Sequence, residues 1–335
     1  MKVCLYFEGE NVISRSGIGR AMKHQMRACE IAGIDYTTDP KEDYDILHIN
    51  TVGITSSLMI HNAKNEGKKV IYHAHSTEED FRNSFVLSNQ VAPLFKMHLV
   101  NLYSSADYIL TPTPYSKSLL EGYGIEVPIQ AISNGVDLDK YEYDADKVKA
   151  YRKYFHLKEE DKVVLSVGLY FERKGIIDFM DVARKLPQYK FIWFGHTSKV
   201  ALPKNVRQAL DEAPFNVILP GYVKGGIIEG AFADSDVFFF PSLEETEGIV
   251  VLEALAGKQE VIVRDIGVYD PWLVDKVNCY KGNSVEQFAQ LIHGVIEKKL
   301  PSVKEEGWKT AQQRSLKEIG DQLKEVYERV LAQKD

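Results

Sequence analysis

Two glutamates, Glu245 and Glu253, flank Gly248 in the run FFFPSLEETEGIVVLEALAG, Phe238 to Gly257. Carboxylates accept hydrogen bonds, and each is suited to a sugar ring or a ribose bearing adjacent hydroxyls. The apolar stretch Asp236 to Phe240 reads as a buried strand ending at Pro241. A polar loop follows, and Gly248 then opens a helix carrying Ile249, Val250, Leu252, Glu253 and Leu255. A helix start offers unpaired N–H groups and the positive end of its dipole, so the Gly248 to Val250 turn can hold a diphosphate. Gly248 permits close backbone approach. Glu245, in the loop, is placed to accept from hydroxyls of a sugar above that diphosphate, and Glu253 to accept from a ribose. The plain alternative is an acidic loop before an ordinary helix. Against it, Glu253 lies in an otherwise apolar helix, where an unpaired carboxylate is costly.

Three further segments carry chemistry-bearing residues. In SVGLYFERKG, Arg173 and Lys174 supply cationic donors for a diphosphate and for the charge that grows on a departing nucleoside diphosphate; a solvated pair at a turn is the alternative. VIYHAHSTEED ends a strand with His73 and His75, which at i and i+2 share a strand face. Two histidines so spaced can also suggest metal, but no third ligand cluster accompanies them, so no metal is expected. SGIGRAMKHQ places Gly17 and Gly19 between a strand and a helix, either as a fragment of a phosphate loop or as an ordinary glycine turn. In SNGVD, Asn134-Gly135 reads as a tight turn.

Elements able to position these residues alternate along the chain as in a doubly wound α/β protein. The first half reads as strands KVCLYF, DILHI, KKVIYH, DYIL and VPIQAI, with helices at 19–32, 55–66, within 78–104, and 115–123. The second reads as strands KVVLSV, KFIWF, NVILP, DVFFF and QEVIV, with helices at 174–185, 205–212, 226–233 and from Gly248. Helical spacing returns in 303–333, through Trp308, Leu316, Ile319, Leu323, Val326, Tyr327 and Val330. Ligands of open α/β sheets bind beyond the carboxyl ends of the strands, where the named motifs fall.

The chain has 335 residues, 44% hydrophobic and 27% charged, enough for two domains with separate cores. No apolar run approaches membrane-spanning length, and Met1 to Phe7 reads as a first strand rather than a signal segment. Cys4, Cys29 and Cys279 lack metal-ligand spacing and suit a reduced cytoplasmic setting. Residues 1–146 carry 13 Lys and Arg against 20 Asp and Glu, and the remainder 28 of each. An acidic first half without a basic stripe argues against nucleic acid as a partner.

These motifs together resemble the retaining glycosyltransferases of family 4. SGIGRAMKHQ, HAHS, SNGVD, SVGLYFERKG and GAFADSDVFFFPS occur in the family's order, ahead of the glutamate pair. The resemblance implies a GT-B fold: two facing Rossmann-like doubly wound domains with an interdomain cleft. It places an acceptor domain at 1–140, a nucleotide-sugar domain at 141–310 and a closing helix at 311–335 that packs on the first domain. It further implies a UDP-sugar donor, no cofactor and no divalent metal, with departure and attack on one face of the sugar.

Carried over residue by residue, His75, Lys174 and Glu245 take the catalytic roles. Gly17, Gly19, Gly168, Arg173, Lys174, Thr246, Gly248, Ile249, Val250 and Glu253 take the donor-binding roles. Many members carry Arg where this chain has Leu169; either Arg173 covers that role or Lys174 works with backbone groups alone. Glu245→Ala and Lys174→Ala are expected to fold normally and lose transfer.

The HAHSTEEDFR and GVYDPWL runs are similar to Gram-positive and mollicute enzymes that add a second hexose to monohexosyl-diacylglycerol. That implies a glycolipid acceptor and a peripheral place on the inner face of the plasma membrane, with an anionic lipid surface as a possible partner. The apolar and aromatic stretch 81–103 either docks there or packs on its own domain. Two other readings stay open: a soluble glycosyltransferase acting on polysaccharide or protein glycan, and a nucleotide-sugar binding protein, hydrolase or epimerase without transfer.

Overall fold

The computed structural model describes residues 1–9, 17–223 and 226–333 and divides the chain into two compact units. Unit 1 comprises Met1–Phe81, Gln90–Val136 and Arg314–Asp335; unit 2 comprises Arg82–Asn89 and Asp137–Gln313. The expected first domain, 1–140, included Arg82–Asn89. In the structure this short stretch groups with unit 2, because the Arg173 amide donates to the carbonyl of Asn83 and the Val86 amide to that of Ala201, each at 3.1 Å.

Each unit is built on a six-stranded sheet whose pairings are all parallel. In unit 1, β1 (Lys2–Tyr6), β2 (Asp35–Thr37), β3 (Ile46–Ile49), β4 (Lys69–His73), β5 (Tyr108–Thr111) and β6 (Ile129–Ala131) run in the order β2-β1-β3-β4-β5-β6. In unit 2, β7 (Val163–Val167), β8 (Lys190–Phe194), β9 (Val217–Gly221), β10 (Val237–Phe240), β11 (Val261–Arg264) and β12 (Tyr280–Gly282) run β12-β11-β10-β7-β8-β9. The helices used below are α1 (Gly17–Ile31), α2 (Ile54–Asn65), α3 (Ser88–Tyr103), α4 (Ile176–Lys185), α5 (Ile249–Ala256) and α6 (Leu316–Ala332).

A parallel sheet covered on both faces needs apolar side chains on both, and the period-2 alternation of a strand distributes them. Val3 and Leu5 join Ile46, Ile71 and Leu110 in one core, closed by Ala28 and Cys29 of α1 and by Leu316, Ile319, Leu323, Val326 and Tyr327 of α6. Cys4 points the other way and joins Leu47, Ile49, Val70, Tyr72 and Ile109. The closing helix therefore completes the core of unit 1. The single helical stretch expected over 303–333 is two helices, Lys304–Gln312 and α6. The break is held open by Val136, whose amide donates to the carbonyl of Arg314 (2.9 Å) and whose carbonyl accepts from Leu316 (3.2 Å), while Ser315 caps α6. Phe179 on α4 packs edge-on against Phe191 and Trp193 and stacks on Phe239 at the centre of unit 2.

Strand order reverses between β1 and β3 in unit 1 and between β7 and β10 in unit 2. Connections leaving the carboxyl ends at such a reversal diverge to opposite faces and leave a crevice for a ligand. In unit 2 the two connections meet directly. Gly175, at φ +75°, lies so close to the Pro241 carbonyl that a β-carbon would collide with it. Among the described residues no helix is long and apolar enough to cross a membrane.

Candidate functional site

In unit 2 the segment after β7 meets the loop after β10 through charge. Lys174 Nζ lies 2.5 Å from Glu245 Oε1, and Ser242 Oγ donates to the same oxygen at 2.6 Å. Arg173 Nη1 stands 3.9 Å from it, and the Leu243 amide donates to the Arg173 carbonyl at 2.6 Å. Glu245 is buried. Burial alone would push its carboxyl up, but the Lys174 and Arg173 charges and the hydrogen bonds from Lys174 and Ser242 outweigh it and hold the group below the usual carboxylate range. Both the anion and its cation are therefore in place, with Oε1 committed to protein partners and Oε2 left to accept from a hydroxyl.

Gly248 is the N-cap of α5 at φ +89°, a conformation that a side chain would strain; a β-carbon would also meet the Tyr269 hydroxyl at 3.1 Å. The bare backbone thus leads into the first turn of α5, where Ile249 and Val250 contribute N–H groups of the kind that hold anions. Thr246 and Val250 are half-buried, and Glu253, four residues into the helix, is fully buried. Gly168 follows β7 and accepts from the Trp193 indole at 2.8 Å, which fixes the start of the Lys174 segment.

The structure gives Arg173 and Lys174 different surroundings. Arg173 Nε donates to Ser84 Oγ at 2.8 Å and Nη1 to the Glu244 carbonyl at 3.2 Å, so its fork braces the loop, while Lys174 reaches the Glu245 carboxylate. Lys174 is half-buried against the buried Glu245, and Arg173 and Ser242 face the same carboxylate oxygen. Gly17 and Gly19 lie in the first turn of α1 rather than in a loop; residues 10–16, including Ser16 of the same motif, are outside the described residues.

Unit 1 presents a neutral cluster. His73 and His75 stack with centroids 4.1 Å apart and rings 13° from parallel, and His48 of β3 stacks on His73 at 5.4 Å. Tyr327 Oη lies 2.7 Å from His48 Nδ1, Gln25 Nε2 lies 3.1 Å from the same ring, and His75 Nε2 lies 3.0 Å from Asn50 Oδ1. Burial penalises the imidazolium form and lowers His48 and His75 to about 3, with charge repulsion from His75 adding to the effect at His48. His73 moves the same way, through burial and its two histidine neighbours. Both its ring nitrogens are buried with no partner among the described residues. The strand ends at His73, and a turn in which the His75 amide donates to the His73 carbonyl at 3.1 Å brings the rings together, in place of the shared strand face expected from the i, i+2 spacing. Among the described residues no group of three His, Cys, Asp or Glu converges as a metal site.

Four participants were not found from sequence. Ser242 binds Glu245, Ser84 braces Arg173, Tyr269 packs against Gly248, and Asn50 meets His75. Ser84 and Asn50 lie far in sequence from their partners and carry no local signal. Tyr269 sits in the GVYDPWL run, and its hydroxyl, fully buried with no partner among the described residues, distinguishes it from an ordinary core tyrosine.

Comparison with known proteins shows the family. Residues 147–314 match the family described as Glycosyl transferases group 1, and residues 39–140 match Glycosyltransferase Family 4. The chain is similar to a processive diacylglycerol alpha-glucosyltransferase of Acholeplasma laidlawii, 48% identical over 332 residues that cover 99% of each chain. It is also similar to an alpha-galactosylglucosyldiacylglycerol synthase of Streptococcus pneumoniae, 24% identical over 77% of this chain and 71% of that one. The fold is similar to that of Anabaena HepE, solved with UDP and glucose, at a TM-score of 0.77 with 17% identity over 98% and 99% of the two chains.

Proposed function

This chain belongs to the group 1 glycosyltransferases, and from that premise we propose that it is a retaining, UDP-sugar-dependent glucosyltransferase acting on diacylglycerol and its monoglucosylated product. The single observation that carries the donor side is the Lys174–Glu245 pair set beside the Gly248 helix start, at the point where strand order reverses. The ammonium of Lys174 and the first amides of α5 stabilise the departing diphosphate, the position where charge grows in the transition state. Glu245 Oε2 accepts from hexose hydroxyls, and Glu253 from the ribose. His75, neutral, bonds a sugar hydroxyl. The name of the Acholeplasma laidlawii relative specifies an alpha product; UDP-glucose is itself α-linked, so transfer to that product retains configuration.

The acceptor reading draws on surface as well as kinship. Ile54 and Leu58 on α2 are 86% and 57% exposed, and Leu94 and Met97 on α3 are 67% and 62% exposed. Spacings of three and four residues put each pair on one helix face, and His98 Nε2 donates to the Val52 carbonyl at 2.7 Å, tying α3 to the start of α2. Exposed apolar side chains on these two helices suit the interfacial region of a lipid layer. No metal has a role in this scheme.

Purified protein incubated with radiolabelled UDP-glucose or UDP-galactose and mixed micelles of diacylglycerol or monoglucosyl-diacylglycerol is expected to yield α-linked glucolipid, with or without EDTA. Release of UDP without glycosylated lipid, or transfer only to a water-soluble glycan, overturns the reading.

A further inference from the structure

Asn50 follows β3 directly, at the reversal of strand order between β1 and β3, and its backbone amide is held by the Tyr6 carbonyl at 3.1 Å. Its side chain is buried, with 2% of its surface exposed. The amide nitrogen Nδ2 faces the His48 carbonyl at 3.5 Å, and Oδ1 faces His75 Nε2 at 3.0 Å. Turning the amide over would set its oxygen against the carbonyl oxygen of His48, two acceptors facing one another. The contact with His48 favours this orientation, in which Oδ1, having no hydrogen, pairs with a protonated His75 Nε2.

The imidazole is held in its plane. Its ring is clamped face to face on His73, and its backbone amide donates to the His73 carbonyl at 3.1 Å. A neutral ring has a single proton, so Nδ1 is a lone pair. That nitrogen has no hydrogen-bond partner among the described residues, and 8% of the residue remains exposed.

We propose that Asn50 is a positioning residue that fixes His75 in the Nε2–H tautomer, so that Nδ1 accepts a hydrogen bond from a sugar hydroxyl. The proposal deepens, and rests on, the reading of His75 as a sugar contact in glucosyl transfer. It also narrows what His75 binds. A lone pair accepts from hydroxyls and gains nothing from a phosphate oxygen, so His75 suits a sugar hydroxyl rather than a diphosphate. The imidazole acts as an acceptor throughout and neither gives nor takes a proton.

Histidine ¹⁵N correlation spectra of the unliganded full chain test this directly, with His75 assigned by His75→Gln. The wild type is expected to show His75 neutral, Nε2 protonated and Nδ1 of the pyridine type. Asn50→Leu, similar in volume but without the acceptor, is expected to lose that preference and to lower kcat for glucosyl transfer about tenfold, the worth of one oriented hydrogen bond, with KM for lipid unchanged. Asn50→Asp keeps an oxygen opposite Nε2 and is expected to restore the tautomer. An Nδ1–H tautomer in the wild type overturns the proposal, whatever the fate of the variants. So does an Asn50→Leu protein with unchanged spectrum and unchanged kcat. Because the tautomer is read without substrate, a protein inactive on every UDP-sugar that still shows the Nε2–H form and its loss in Asn50→Leu would refute the transfer reading while upholding the role of Asn50.

Discussion

Both units carry polar side chains at the carboxyl ends of strands flanking a reversal in strand order, yet they solve the problem of burying them in opposite ways. Unit 2 buries charge and pairs it, with Glu245 answered by Lys174 and Ser242. Unit 1 buries neutral rings and stacks them, with His48, His73 and His75 held uncharged by desolvation. The chemistry each can offer follows. A paired ammonium and bare helix amides suit a diphosphate, whereas neutral imidazole suits hydroxyls. The difference teaches that one topology can serve opposite chemistries according to the charge state it preserves.

Breaking the charged side should have the largest effect. Lys174→Ala removes the nearer of the two cations facing Glu245 and leaves Arg173 at 3.9 Å and the Ser242 hydroxyl, which is expected to cost about 1.5–3 kcal/mol in urea unfolding, and to lower kcat by roughly 10²–10³. The double variant Lys174→Met/Glu245→Gln should recover most of the stability and none of the turnover. Recovery of both would remove the pair from the mechanism.

Acid separates the two regions next. A histidine held neutral in the fold but with an unfolded pKa of ~6.5 favours unfolding once the unfolded chain binds the proton, so its contribution is complete above that value and drains as pH falls toward about 3. Each such group adds up to about 1.4 kcal/mol per pH unit over that window. Glu245 behaves differently: its carboxyl is depressed, so its contribution stays intact until pH falls below the usual glutamate value of ~4.3. Hydrogen exchange followed from pH 7 to 5 should therefore show β3 and β4 losing protection before β7 and β10. Simultaneous loss would contradict the contrast.

Smaller changes sharpen it. Tyr327→Phe removes one of the two partners of the buried His48 Nδ1, Gln25 Nε2 remaining at 3.1 Å, and is expected to cost about 0.5–1.5 kcal/mol, read as a lower urea midpoint with the slope unchanged. Tyr269→Phe deletes a hydroxyl that has no partner among the described residues, so the unliganded protein should melt at the same temperature or slightly higher, by less than about 1 kcal/mol in stability. A clear destabilisation would mean that the hydroxyl is bonded in solution.

Much of this was legible in the amino-acid order. The central strands were visible because strands buried on both faces read as continuous apolar runs, as in VVLSV and VFFF. Missing were β2 and β12, each three residues long at a sheet edge, where DYT and YKG carry no hydrophobic run and are recognised only by their pairing with β1 and β11. The helix Val285–Ile296 was also missed, though Ser284 caps it through the Gln287 amide. At the site, the glutamates, Lys174 and His75 announced themselves through local motifs. Their orienting partners did not, because Ser84, Asn50 and Tyr269 reach the motifs through tertiary folding, and no spacing rule encodes contacts formed that way.

The short stretch Arg82–Asn89 belongs to unit 2, although unit 1 residues precede and follow it in the chain. The polypeptide consequently passes from one unit to the other four times, at 81/82, 89/90, 136/137 and 313/314. Shuffling of halves between related genes by a crossover at the third passage would part Ser84 from Arg173. Chimeras that inherit residues 137–313 without their matching eight-residue graft should therefore be handicapped, and the two should travel as one heritable block.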